Sequence, residues 1–135
     1  MYSPYIPCRL KITPADTVAN LKAVCEELKA RSKRVFLCTL PTHGAKGAEL
    51  DRLVATNELI VKSFSRKETI DGLVVIDEKN NGVFKRADLY CMDHHHFNSR
   101  GYRELAKAIN PVFANDLLKV QFAYFRDLLE PSKSK

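Results

Sequence analysis

Arg34-Val35-Phe36-Leu37-Cys38-Thr39-Leu40-Pro41, RVFLCTLP, is almost continuously apolar and β-prone before it stops at proline. A strand exposed on one face alternates apolar with polar residues, whereas one covered on both faces does not. Residues 34–40 are therefore predicted to be a strand inside a parallel sheet. Gly72-Leu73-Val74-Val75-Ile76-Asp77-Glu78 has the same character, and it ends in Glu78-Lys79-Asn80-Asn81-Gly82, which carries strong turn chemistry.

Helical patterns surround these two runs. Thr13-Pro14-Ala15-Asp16 offers a hydroxyl N-cap, proline at the first helical position and a carboxylate in the positive first turn. The helix it opens runs to about Arg31, with Val18, Leu21, Val24, Cys25 and Leu28 as one buried stripe. A second helix, 48–66, carries Leu50, Leu53, Val54, Ile60, Val61 and Phe64, and Asn57 falls on the same stripe. A buried amide needs partners, so Asn57 is expected to bond backbone groups.

Asn98 is placed to cap a third helix with Tyr102, Leu105, Ala106 and Ile109 inward, ended by Asn110-Pro111. An extra helix, 113–129, closes the pattern. There Phe113, Leu117, Val120 and Tyr124 form one stripe, with Leu118, Phe122, Phe125 and Leu129 beside it. An apolar arc that wide calls for two neighbours. Alternating helices and strands predict a single α/β domain over 1–135, with ligands at the carboxyl ends of the strands. Two strands are fewer than a doubly wound sheet of about five requires, so the sheet is expected to be short and incomplete at its amino-terminal side.

Composition narrows the partners. The 135 residues, 45% of them hydrophobic, suffice for one core. No apolar run is long enough to span a membrane, and the start MYSPYIPCRLKI has two prolines and no apolar core behind a basic leader. The expectation is an intracellular, cytoplasmic protein with neither signal peptide nor membrane span. Cys8, Cys25, Cys38 and Cys91 are irregularly spaced and read as reduced, packed thiols. A net charge of +6 permits weak nucleic-acid binding, but no aromatic-interleaved basic stripe accompanies it.

The chemistry concentrates in Cys91-Met92-Asp93-His94-His95-His96-Phe97-Asn98-Ser99-Arg100-Gly101-Tyr102. Zinc needs three or four converging ligands, and the only further histidine is His43, in the loop after Pro41, where it could lie near His96 across one rim. Neither a metal nor a cofactor is therefore expected. What stands out is Asp93-x-x-His96 with Phe97-Asn98-x-x-Gly101-Tyr102 behind it. This block resembles the last block of the SGNH (GDSL-type) hydrolases. The likeness extends over residues 12–110: a helix, a strand ending in Thr39-Leu40-Pro41, a helix with inward Asn57, a strand ending in Ile76-Asp77, then the Asp-x-x-His block.

The resemblance implies a flavodoxin-like, three-layer fold of which this chain holds the carboxyl-terminal portion. It implies carboxylic-ester chemistry, with His96 as general base and Asp93 as the acid that orients it. His94 and His95 occupy variable positions of the block and receive no role. The family's Gly-Asp-Ser nucleophile block and Gly-x-Asn-Asp block have no counterpart here, and Ser3 has neither a strand before it nor a glycine beside it. Without nucleophile and oxyanion hole, the chain alone is expected to be inactive toward esters. The alternative is a non-catalytic module that binds protein or nucleic acid, its exposed apolar surface serving self-association or a partner chain.

Overall fold

The computed structural model describes residues 12–66 and 68–130. Its elements are α1 (Pro14–Ala30), β1 (Phe36–Cys38), α2 (Gly47–Phe64), β2 (Gly72–Val74), two short 3-10 turns (Gly82–Lys85 and Ala87–Leu89) and α3 (Ser99–Leu129). The Thr13 cap forms as a reciprocal box: the Asp16 N–H donates to Thr13 Oγ1 (3.1 Å), and the Thr13 N–H donates to Asp16 Oδ2 (3.0 Å).

β1 and β2 pair in parallel with Phe36 opposite Gly72, Leu37 opposite Leu73 and Cys38 opposite Val74. Side chains alternate between faces along a strand, and two cores result. On one face Val35, Leu37 and Leu73 meet Val18, Cys25, Ile60 and Phe64 of α1 and α2. On the other, Cys38 and Val74 meet Leu105, Ile109 and Val112 of α3. Helices thus cover both faces of a mixed α/β fold whose sheet has two short strands. Gly72 makes the second contact possible, because a Cβ there would lie 2.2 Å from Val112 Cγ1.

Both strands are shorter than their apolar runs, for a reason that lies in side chains. Past Val74, the Thr39 hydroxyl accepts hydrogen bonds from the backbone N–H groups of Ile76 (2.9 Å) and Asp77 (3.2 Å). At the other end, Asp71 Oδ2 accepts from the Val35 N–H (2.6 Å). Side chains take over where the ladder would have continued, so 34–40 and 72–78 contract to three residues each.

The expected break at Asn110-Pro111 does not occur: α3 runs through Pro111. An interior proline costs about 3 kcal/mol, and contacts on its carboxyl side offset that cost. Val112 packs on the α3-side core, the Phe113 ring meets Phe36 edge-on at 4.3 Å, and Asp116 pairs with Arg34. Pro111 and Lys107, whose carbonyl loses its helical donor, are both exposed.

Three burial expectations also need correction. On α1 only Val18 and Cys25 are buried, while Val24 and Leu28 are exposed. On α3 Tyr102 and Ala106 face outward, and Ala108 and Val112 take the core positions. Of the wide apolar arc of 113–129, Phe113 meets Phe36, while beyond Asp116 the arc stays exposed, Phe122 and Leu129 at 72% and 81%. No described helix is long and apolar enough to cross a membrane.

Candidate functional site

The histidine stretch is a closed loop. Tyr90 and Phe97 form an antiparallel bridge, and the N–H groups of Cys91 and Asn98 donate to His96 O (2.8 Å) and Leu89 O (2.9 Å). Asn98 then does two jobs. Its Oδ1 accepts from the N–H groups of Arg100 (2.9 Å) and Gly101 (3.0 Å), capping α3, while its Nδ2 ties back to Asp88 O and Tyr90 O. Gly101 is required for close approach, since a Cβ would meet Leu89 O at 2.2 Å.

This frame brings Asp93 and His96 together. Asp93 Oδ1 accepts from the N–H groups of His95 (3.0 Å) and His96 (3.1 Å), and Oδ2 is hydrogen-bonded to His96 Nδ1. The His96 contact and these two amide bonds hold the Asp93 carboxyl well below the usual carboxylate range. With Nδ1 engaged, Nε2 is the nitrogen left for chemistry. The pair is open to solvent, His96 being 80% exposed at its side chain.

His43 lies beside His94 and His95, the neighbours of His96, rather than being placed against His96 itself. The His95 ring nitrogen Nδ1 lies 3.2 Å from His43 O, and the rings of His43 and His94 are 6.2 Å apart between centroids. Gly44, at φ +79°, lies so close that a Cβ would stand 2.7 Å from His94 O. A second pair, not evident in the sequence, forms here: His43 Nδ1 is 2.6 Å from Glu78 Oε1. The His43 ring stacks on Tyr90 at 4.0 Å and 11°. Burial, then the nearby Glu78 charge, pushes the Tyr90 phenol up to about 12. Thr42, His43, Gly44, Glu78, Asp93 and His94 line a cleft of about 460 Å³ beside this pair. The only clue in the sequence was position: His43 and Glu78 each sit just past a strand's carboxyl end.

Asn57 is the buried amide expected. It donates to Leu40 O (2.8 Å) and accepts from the Leu40 N–H (2.7 Å), fixing the turn out of β1. Cys91 is corrected: it is exposed rather than packed, its thiol directed to Phe97 O at 3.6 Å. Cys25 is buried and Cys38 half-buried, and burial raises both thiols. Ser3 and Cys8 lie outside the described residues. Among the described residues, no group of three histidine, cysteine, aspartate or glutamate side chains is arranged to hold a metal ion. No family model, curated protein or solved structure matches the chain.

Proposed function

We propose that this chain is the carboxyl-terminal portion of an SGNH-type ester hydrolase framework, flavodoxin-like in plan, and that it contributes the acid–base half of a Ser-His-Asp triad. The observation that carries the reading is the Asp93–His96 pair, held on the loop that enters α3, with Nδ1 bound to the carboxylate and Nε2 open. In such a triad His96 Nε2 takes the proton of a serine hydroxyl as that oxygen attacks an ester carbonyl, and it returns the proton to the departing alkoxide. Asp93 stabilises the imidazolium formed in between. The serine and the oxyanion-hole donors have to come from sequence other than the blocks present here.

Reconstitution tests this. Co-expression with the amino-terminal half of an SGNH esterase, carrying its Gly-Asp-Ser and Gly-x-Asn-Asp blocks, should yield aryl-acetate turnover that His96→Ala lowers by a factor of about 1,000. Full turnover in the His96→Ala protein would sink the reading. So would His96-dependent turnover by the chain alone.

One observation favours a second, non-catalytic reading. Beyond Asp116, α3 exposes Leu117, Leu118, Phe122, Tyr124, Phe125, Leu128 and Leu129. Together they present roughly 1,000 Å² of apolar side chain, more than the ~800 Å² per partner of a standard interface. The occupant favoured by that area is the same segment of a second copy, and the mass in solution by sedimentation is the test: a strictly monomeric chain at tens of micromolar would exclude it.

A further inference from the structure

We propose that His43 and Glu78 form a second proton-transfer dyad, which activates water against a carboxylic ester held in the cleft between the 42–46 loop and Asp93–His94. The substrate class rests on the hydrolase reading above; the dyad rests on its own geometry. Glu78 Oε1, 2.6 Å from His43 Nδ1, selects the tautomer with the proton on Nδ1, so Nε2 carries the lone pair of a base. The carboxylate also stabilises the imidazolium once Nε2 has taken a proton.

The second pair is better held than the first. The His43 ring lies flat on Tyr90, which is itself buried and donates its hydroxyl to Phe84 O (2.7 Å). Glu78 is tied to the same loop through its N–H, which donates to Thr42 Oγ1 (3.4 Å). The His43 side chain is 17% exposed, so its orientation is set by packing rather than by solvent. A cleft of about 460 Å³ has room for a small acyl ester beside it. Lys46, Asp93 and His94 line the same cleft, and Tyr90 lies beneath the ring.

The step needs no serine, so it departs from the inactivity expected of the chain alone, which counted only the Asp93–His96 pair and its missing nucleophile. His43 Nε2 removes one proton from a water molecule as the water oxygen forms a bond to the ester carbonyl carbon and the carbonyl π pair moves onto oxygen. When that pair returns, the bond to the alkoxide breaks and the alkoxide takes the proton from Nε2. Ester and water become carboxylic acid and alcohol, and no acyl-enzyme forms.

The test uses the full chain and p-nitrophenyl acetate. Expected is multiple-turnover nitrophenolate release above buffer, without an initial burst. His43→Gln should lower the protein-dependent rate about 100-fold and Glu78→Gln about tenfold. A wild-type rate at the buffer level, or an unchanged rate in folded His43→Gln, would overturn the proposal. Should His43→Gln fail to fold by circular dichroism, Glu78→Gln decides: an unchanged rate overturns it. A loss confined to His96→Ala would assign the rate to the other pair and overturn it too. The reconstituted protein reads the triad separately, so failure of one assignment does not mimic failure of the other.

Discussion

The two ends of the small sheet use carboxylates in opposite ways. At the amino end Asp71 is 7% exposed at its side chain: it accepts from Lys29 Nζ (2.9 Å) and the Val35 N–H (2.6 Å) and is ion-paired with Arg34 Nη2 (3.0 Å). Asp116 of α3 joins through Arg34, whose Nε donates to it at 3.0 Å, so one cluster ties α1, both strands and α3. At the carboxyl end two carboxylates instead face imidazoles: Glu78 faces His43 and Asp93 faces His96. An ammonium or guanidinium partner keeps its proton across the physiological range, whereas an imidazole exchanges it there. The amino end is therefore a clasp, and the carboxyl end is where a proton can be moved.

Asp71→Ala leaves the Val35 N–H and the Lys29 ammonium without their acceptor and should cost about 3 kcal/mol, seen as a fall of about 10 °C in Tm. The clasp also sets an acid limit. Burial opposes ionisation of Asp71, but the Lys29 and Val35 hydrogen bonds and the Arg34 charge outweigh it and lower its carboxyl. A depressed carboxyl adds stability above its unfolded value of about 4 and loses it as pH falls through the folded value. Denaturant titrations of wild type and Asp71→Asn should therefore differ at pH 6 and converge on acidification. Curves that stay parallel would contradict the assignment.

A smaller effect is expected away from both ends. Leu118→Glu with Phe122→Glu should leave the melting temperature nearly unchanged, since both side chains are exposed, while abolishing concentration-dependent association in sedimentation. The smallest change belongs to the exposed pair. Asp93→Ala should shift Tm by no more than about 2 °C, yet the long-range nitrogen spectrum of His96 should lose its preference for the proton on Nδ1. A large fall in stability there would make Asp93 a structural residue like Asp71.

How much of this was legible in the sequence depends on the range of the interaction. The Thr13 cap, the Asn98 cap and the inward Asn57 act within a few residues or along one stripe, and each forms as its spacing implies, while the Asp93–His96 contact matches what the family resemblance implies. The site's second pair was not legible, because His43 and Glu78 are 35 residues apart and only the parallel alignment of β1 and β2 brings their ends together. Exposure of Val24 and Leu28 was equally hidden, since a stripe of apolar spacing says what a helix can bury without saying what is present to cover it.

Where the helices begin and where the apolar runs lie is written locally, because caps and periodicity are properties of neighbouring residues. Where the strands stop, and that α3 continues, depends on the folded arrangement. Thr39 and Asp71 end the ladder from across the strand pair, and contacts of Val112, Phe113 and Asp116 with the sheet offset what Pro111 costs its helix. Those choices depend on partners distant in sequence, and no local pattern records them.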